Sequence, residues 1–370
     1  MKIRIFINFF SNIIENIIQP LNEKSVFLFF QSIRESLSDN ANYGTLTEFK
    51  IFPKRPKRLY PYILHKKNVS IIIEGEIKEH EFIQETINWY KNCGIKNIIL
   101  STSSCSDKFL NCKTISKFEN KTKGIFNENN KLENIKNALF HIYDDDLVIK
   151  TRTDQRIYSE IFLTNIVDFH ESNQSYQECC SSKMGVISTN SSLIKINNIS
   201  DHLYVDYAYK LKKMFNLNYR KGSKLISEIN SYSKNNFDIN KFRGELSSAL
   251  FTEFESGQWF LNSYRRNCLE IDKSEKPFLK KEDYISSLFK YLKFIENSIY
   301  VIDPEDIELF WLKKNINKYP FDIYQILEKN NPVLYRNLTR LNWLCLINDE
   351  NYFLQIIENA KTFSFNELIF

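Results

Sequence analysis

Four charged side chains gather behind one short apolar run. Val148 and Ile149 lead into Lys150, Thr151, Arg152, Thr153 and Asp154, and Arg156 follows. The chemistry open to such a group is holding phosphate. An arginine grips a phosphate through two N–H donors and stays charged at any working pH. A carboxylate can instead hold Mg²⁺ or Mn²⁺, which bridges phosphate oxygens and balances the charge that builds on a departing diphosphate. Residues two apart on an extended strand share a face, so Arg152 and Asp154 converge if the strand runs through them. Lys150 lies on that face as well. The same spacing also fits a surface ion cluster at a strand end.

Further along, two segments set carboxylates beside aromatics. One is Ile199–Val205, with Asp201, His202 and Tyr204. The other is Glu253–Phe260, with Glu255 and Trp259. A transfer that inverts a carbon centre needs a base to take the acceptor's hydroxyl proton. Asp201 and Glu255 are the candidate bases, and Tyr204 or Trp259 could stack on an acceptor ring. Asp201 also suits the start of a helix over Asp201–Phe215. His202 is a candidate contact to the acceptor or a hydrogen-bonding residue of the framework; no His or Cys stands at metal-ligand spacing from it.

The elements that must position these residues alternate. Val69–Ile73 is a β-branched run that reads as a buried strand. Ile77–Asn92 reads as a helix ended by Gly94. Ile98–Ser101 and Thr114–Phe118 read as strands, Asn130–Phe140 as a helix, and Leu147–Thr151 as a buried strand. That order predicts a parallel sheet wound by right-handed crossovers, and such sheets bind ligands at the carboxyl ends of their strands. Gly75, just past the first strand, would let a base or ribose approach the backbone, or serve as a simple turn glycine. Ser101 and Thr102 cap the second strand's end, and Asn130 could cap the following helix. Gly185–Thr189 reads as one more strand. Beyond it Phe242–Arg266, Lys281–Ile295 and Pro304–Phe363 read as helical.

Composition removes several classes. The 370 residues are 43% hydrophobic and 26% charged, as in an ordinary globular chain. With only 8 glycines, no glycine-rich dinucleotide or P-loop spacing occurs. A net charge of +5 with scattered lysines gives no nucleic-acid stripe. Seven cysteines without paired spacing fit a reduced, cytoplasmic chain. No apolar stretch approaches the ~20 residues of a membrane span. Residues 1–67 read as a helical appendage: Ile3, Phe6, Phe10, Ile13, Ile14 and Ile17 form one stripe, Ser25–Ser36 a second apolar segment, and Pro53, Pro56 and Pro61 mark a basic connector. The stripe could dock on its own domain or lie on a membrane face as a peripheral contact.

Taken in order, these segments resemble the WavE family of lipopolysaccharide-synthesis proteins. The resemblance lies in Ile71–Ile77, Ile98–Thr102, Asn129–Asn134, Lys150–Asp154, Ser200–Tyr204 and Glu253–Phe260, covering roughly residues 68–270. Glu74 stands where that family usually has Gln, and Glu76 where Pro is usual. The resemblance implies a GT-A-like α/β fold, a Rossmann-type mostly parallel sheet flanked by helices. It also implies sugar transfer from a nucleotide-sugar donor to a lipid-linked or oligosaccharide acceptor, in lipopolysaccharide or capsule synthesis. Glu74, Gly75, Ser101, Thr102, Asn130, Asn134, Lys150, Arg152 and Asp154 would then bind the donor, and His202, Tyr204 and Trp259 the acceptor. Arg152 holds the place of the first carboxylate of an Asp-x-Asp metal motif, which implies weak or absent metal dependence. Asp154 is the one candidate ligand for Mg²⁺ or Mn²⁺. The expected division is 1–67 as appendage, 68–270 as the transferase domain and 271–370 as a helical C-terminal region. A sugar nucleotidyltransferase and a non-catalytic, membrane-peripheral component of a polysaccharide complex are the alternatives.

Overall fold

The structure is a computed structural model, and it describes residues 43–46, 68–103, 109–116, 128–174, 183–188, 191–194, 196, 199–219, 256–268, 281–304, 306–313 and 338–363. The stripe over Ile3–Ile17, the segment Ser25–Ser36, the Pro53–Pro61 connector and Glu255 lie outside the described residues.

The chain builds strand, helix, strand in the order its apolar pattern dictates. Strand β2 (Val69–Glu74) is buried along its whole length, as its β-branched run requires. Helix α1 (His80–Asn92) follows, burying Ile83, Ile87, Trp89 and Tyr90. It stops at Gly94, whose φ of 89° is open to glycine at little cost. There the Ile95 and Gly94 amides donate to the Tyr90 and Lys91 carbonyls, which closes a Schellman turn. Strands β3 (Asn97–Thr102) and β4 (Lys113–Ser116) come next, then helix α2 (Glu128–Phe140) and strand β5 (Leu147–Arg152). β3 and β5 both pair parallel with β2, and β4 pairs parallel with β3.

The second half departs from the helical expectation. Strands β7 (Met184–Ile187) and β8 (Tyr204–Tyr207) both enter the sheet, and β8 runs antiparallel to β5 and β7. The helix expected from Asp201 therefore begins only at Ala208, as α5 (Ala208–Met214). Tyr204 and Val205 favour an extended backbone, and hydrogen bonds from two flanking strands override the helical spacing. Helices α6 (Ser256–Cys268) and α7 (Lys281–Ser298) follow, and α7 passes directly into strand β9 (Ile299–Ile302), which pairs parallel with β7. The sheet order is β4-β3-β2-β5-β8-β7-β9, a seven-stranded, mostly parallel, Rossmann-type sheet flanked by helices.

The C-terminal region is thus not wholly helical. Four apolar residues at the end of a long helix cannot be told from more helix by periodicity alone. Strand β10 (Leu309–Lys313) also stands where helix was expected. It lies between β1 (Tyr43–Leu46) and β6 (Gln155–Ile157) in a separate antiparallel sheet. β6 is tied to α1, because the Trp89 indole donates to the Ile157 carbonyl at 2.9 Å and the Ile157 amide donates to the Tyr90 hydroxyl. The remaining described elements are the short helices α3 (Glu160–Thr164) and α4 (Ile166–Ser172), then α8 (Arg340–Asn348) and α9 (Glu350–Thr362).

Candidate functional site

The carboxyl ends of β2 and β5 lie side by side, with Glu74 opposite Arg152 in register. The antiparallel run of β8 brings the residues just before it, Asp201 to Leu203, to the same edge, because Tyr204 pairs with Lys150. Helix α2 packs on this half of the sheet and its first turn carries Lys131. The result is a cluster of alternating charge. Lys131, Lys150 and Arg152 face Glu74, Asp154 and Asp201.

Each cation has a carboxylate partner. Arg152 donates to Asp154 from Nε at 2.9 Å and from Nη2 at 3.0 Å. Lys131 Nζ lies 2.8 Å from Asp201 Oδ2. Lys150, 1% exposed, reaches Glu74 at 3.6 Å and donates to the Asp201 backbone carbonyl. Arg152 and Asp154 do converge, but through a turn at Thr153 and Asp154 that ends the strand. That turn also sends Arg156 elsewhere, onto the Phe82 carbonyl, the Thr86 hydroxyl and the Tyr158 hydroxyl of the α1 side.

The electrostatics follow from burial and pairing. Burial opposes the Arg152 charge, yet the Asp154 carboxylate raises its pKa above the usual arginine value. Burial likewise opposes the Asp154 carboxylate, and Arg152 more than offsets it, so its pKa is lowered. Burial opposes the Asp201 carboxylate, yet Lys131 above all, with Lys150 and Arg152, holds it well below the usual carboxylate range. Burial lowers the Lys150 pKa, with Glu74 opposing. Burial and then Arg152 push His202 down to about 3, so its imidazole is neutral. The His202 Nδ1 is buried without a hydrogen-bond partner.

Not every candidate points into this cluster. Ser101 Oγ donates to the Asn134 backbone carbonyl at 2.7 Å, which fixes α2 to β3. Thr102, Asn130 and Asn134 are buried. Helix α2 begins at Glu128, so Asn130 sits inside its first turn and does not cap it. Gly75 has φ 136°, and a Cβ there would lie 2.7 Å from Thr153 Oγ1. Its space admits Thr153, whose hydroxyl donates to the Glu76 carbonyl, and not a ribose. Tyr204 is fully buried against Phe215, so its ring offers no face to an acceptor. Trp259 is buried in α6 and stacked on Phe260.

The sequence reading missed Lys131 and Trp311. Trp311 arrives on β10, its Nε1 donating to Asp154 Oδ2 at 3.0 Å. Its ring meets His202 edge-on at 4.4 Å and lies 6.0 Å from the Arg152 guanidinium. An isolated Phe-Trp in a segment read as helical carried no signal for this. Lys131 does stand in the Asn-Asn-Lys run at the start of α2, and a cation at that position was the available signal. Asp154 does not suit a divalent cation as placed: Arg152 and Trp311 occupy both its oxygens, and a guanidinium sits where a second anionic ligand would be needed. Among the described residues no group of three His, Cys, Asp or Glu could hold a metal ion.

No family model and no curated protein matches the chain. Solved structures with distant likeness include a 4-diphosphocytidyl-2C-methyl-D-erythritol synthase at 10% identity, with 45% of this chain and 86% of that one covered and a TM-score of 0.28. Another is the Francisella tularensis 2-C-methyl-D-erythritol 4-phosphate cytidylyltransferase, at 12% identity, 64% and 90% coverage and TM-score 0.28. A third is the apo glycosyltransferase GlyE of Streptococcus pneumoniae TIGR4, at 9% identity, 80% and 64% coverage and TM-score 0.28. Among the described residues no helix is long and apolar enough to cross a membrane.

Proposed function

We propose that the chain is a glycosyltransferase whose nucleotide-sugar donor binds by its phosphates at the carboxyl edge of β2 and β5. The observation that carries this reading is the Lys131–Lys150–Arg152 group, set at the strand ends where such sheets take ligands and held in place by three carboxylates. The order of segments that resembles the WavE family supports transfer to a lipid-linked or oligosaccharide acceptor in lipopolysaccharide or capsule synthesis.

The roles follow from the chemistry. Transfer breaks the bond between the sugar's anomeric carbon and the phosphate oxygen, whose electron pair leaves with the phosphate, and forms a new bond from the acceptor's hydroxyl oxygen to that carbon. Arg152, bidentate and permanently charged, balances that charge, with Lys150 behind it. Asp201 is ionised and takes the acceptor hydroxyl's proton once Lys131 turns from it to the phosphate. In this scheme Arg152 and Lys150 do the work a divalent cation does elsewhere, and transfer does not need Mg²⁺ or Mn²⁺.

Isothermal titration of a nucleotide-sugar panel, including UDP-, GDP- and CMP-linked sugars, with and without EDTA, tests the reading. Binding and transfer that persist in EDTA support it. Release of pyrophosphate from a nucleoside triphosphate and a sugar phosphate would instead make it a nucleotidyltransferase, against which the buried Glu74 at the phosphate end already argues. Absence of binding by every nucleotide sugar would favour a non-catalytic component.

A further inference from the structure

Trp311 is given no role by the phosphate chemistry above, yet it stands at the centre of the site. The chain has four tryptophans. Trp89, Trp259 and Trp343 are buried, whereas Trp311 is half-buried. It is also delivered from outside the main sheet. Its strand, β10, belongs to the smaller antiparallel sheet, where Trp311 pairs with Gln155 on one side and Thr45 on the other. Among its neighbours the indole N–H meets Asp154, the His202 ring stands edge-on at 4.4 Å and the Arg152 guanidinium lies at 6.0 Å. A large aromatic ring that packing alone required would be buried like the other three. This one is only partly buried, and it stands beside the phosphate-binding arginine.

We infer that Trp311 is the sugar-recognising residue of the donor site, its open indole surface receiving the C–H face of the transferred sugar. The inference rests on the nucleotide-sugar reading of the site. The choice of sugar over base follows from covalent order. In a nucleotide sugar the transferred ring is bonded directly to a phosphate, while the base is separated from the phosphates by the ribose. An indole centred 6.0 Å from the guanidinium that grips the phosphate is within reach of the first ring and short of the second. A pyranose presents a patch of C–H groups that is apolar on one face, and a rigid aromatic surface removes that patch from water at small entropic cost. The neutral His202 imidazole supports the indole without placing a further charge against it.

The test uses the full chain and nucleotide sugars from the panel, with UDP, GDP and CMP as the sugar-free controls. Acrylamide quenching of tryptophan fluorescence reads Trp311, the accessible one of the four. The expected result is that a nucleotide sugar protects the indole from quenching and its parent nucleotide does not. Trp311→Leu should weaken the nucleotide sugar about tenfold and the parent nucleotide less than twofold, and Trp311→Phe, which keeps a ring, should recover most of the loss. Equal weakening of sugar-bearing and sugar-free ligands by Trp311→Leu would transfer the indole to the base and overturn the inference. If wild-type chain binds nucleotide sugars but quenching and both variants stay at control values, the Trp311 role falls and the phosphate site stands. If no nucleotide sugar binds wild type, both fall together. Should Trp311→Leu fail to fold, Trp311→Phe and the wild-type quenching decide the question.

Discussion

Arg152 and Asp154 form a two-point pair, with Nε–Oδ1 at 2.9 Å and Nη2–Oδ2 at 3.0 Å, at the place proposed for the donor's phosphate. The Asp154 carboxylate presents to the guanidinium the same two-oxygen edge that a phosphate would. Ligand and carboxylate therefore compete for one fork. Arg152→Ala should reduce transfer to background and, because it leaves the mostly buried Asp154 carboxylate without its cation, lower the melting temperature as well, a loss that Asp154→Asn in the same chain should largely restore. Asp154→Asn removes the competing charge and should raise affinity for a bare nucleotide diphosphate several-fold. Calorimetric titration of both variants measures the two effects, and a weakened nucleotide in Asp154→Asn would refute the competition.

Lys150 is the deeply buried cation of the cluster. Removing it strands Glu74, which is also buried. Lys150→Met should therefore destabilise the fold by about 3–5 kcal/mol, and Lys150→Met with Glu74→Gln should recover a large part of that, since an uncompensated buried charge costs more than a missing pair. Chemical denaturation of the two variants against wild type provides the comparison.

Gly75 joins β2 to the turn that holds Thr153. Its φ of 136° disfavours any side chain, and a Cβ would press on Thr153 Oγ1 at 2.7 Å. Gly75→Ala should cost roughly 1–3 kcal/mol. Adding Thr153→Ala relieves the contact but not the backbone strain, so the double variant should sit between Gly75→Ala and wild type once the cost of Thr153→Ala alone is subtracted. Thermal melts of the four proteins close that cycle.

Two buried groups give the fold opposing responses to pH. His202 stays neutral down to about 3 in the native chain, against 6.5 for the free group, so lowering the pH from 6.5 protonates the unfolded state first and weakens the fold. Asp206 behaves in reverse. Burial pushes its pKa up to about 7 from 3.8, although Lys210, the Tyr207 amide and the Tyr264 hydroxyl favour its charge. Raising the pH from 3.8 towards 7 therefore ionises the unfolded chain first and weakens the fold. Each slope is worth roughly 1.4 kcal/mol per pH unit, and between 3.8 and 6.5 they cancel. Wild-type stability from these two groups should be nearly flat there. His202→Gln should become more stable as pH falls across that window, and Asp206→Asn less stable. Melting temperatures of the three proteins at pH 4.5, 5.5 and 6.5 show whether the slopes separate.

The first half of the sheet was legible because its strands are buried on both faces. Val69–Ile73, broken only by Ser70, and Leu147–Ile149 are β-branched or aliphatic runs, and Ile83, Ile87 and Tyr90 recur at helical spacing between them. The strand end itself was legible as a site from its place after β5. What could not be read was pairing. Whether Arg152 faces a ligand or Asp154 is set by the tight turn at Thr153 and Asp154, and whether Asp201 is free or bound to Lys131 depends on a helix 70 positions away, which local spacing does not encode. Tyr204, Ile299–Ile302 and Trp311 show the same limit from another direction. Short runs that could form either helix or strand are decided by the neighbours that hydrogen-bond them. Those decisions buried Tyr204 in the core and brought Trp311 to the site.

Strand β10 also sets an order of events in synthesis. It pairs with residues 155–157 on one edge and 43–46 on the other, and it carries the indole that touches Asp154. Translation proceeds from the amino terminus, so β2, β3, β5 and their cluster of charges leave the ribosome well before residue 311 does. Until then the Asp154 carboxylate lacks its indole partner, and β6 lacks the neighbour that takes up its outer backbone groups. A nascent chain arrested just short of β10 would hold the cluster's cations without the indole proposed to meet the sugar, so on that proposal activity would wait until residues 309–313 have emerged.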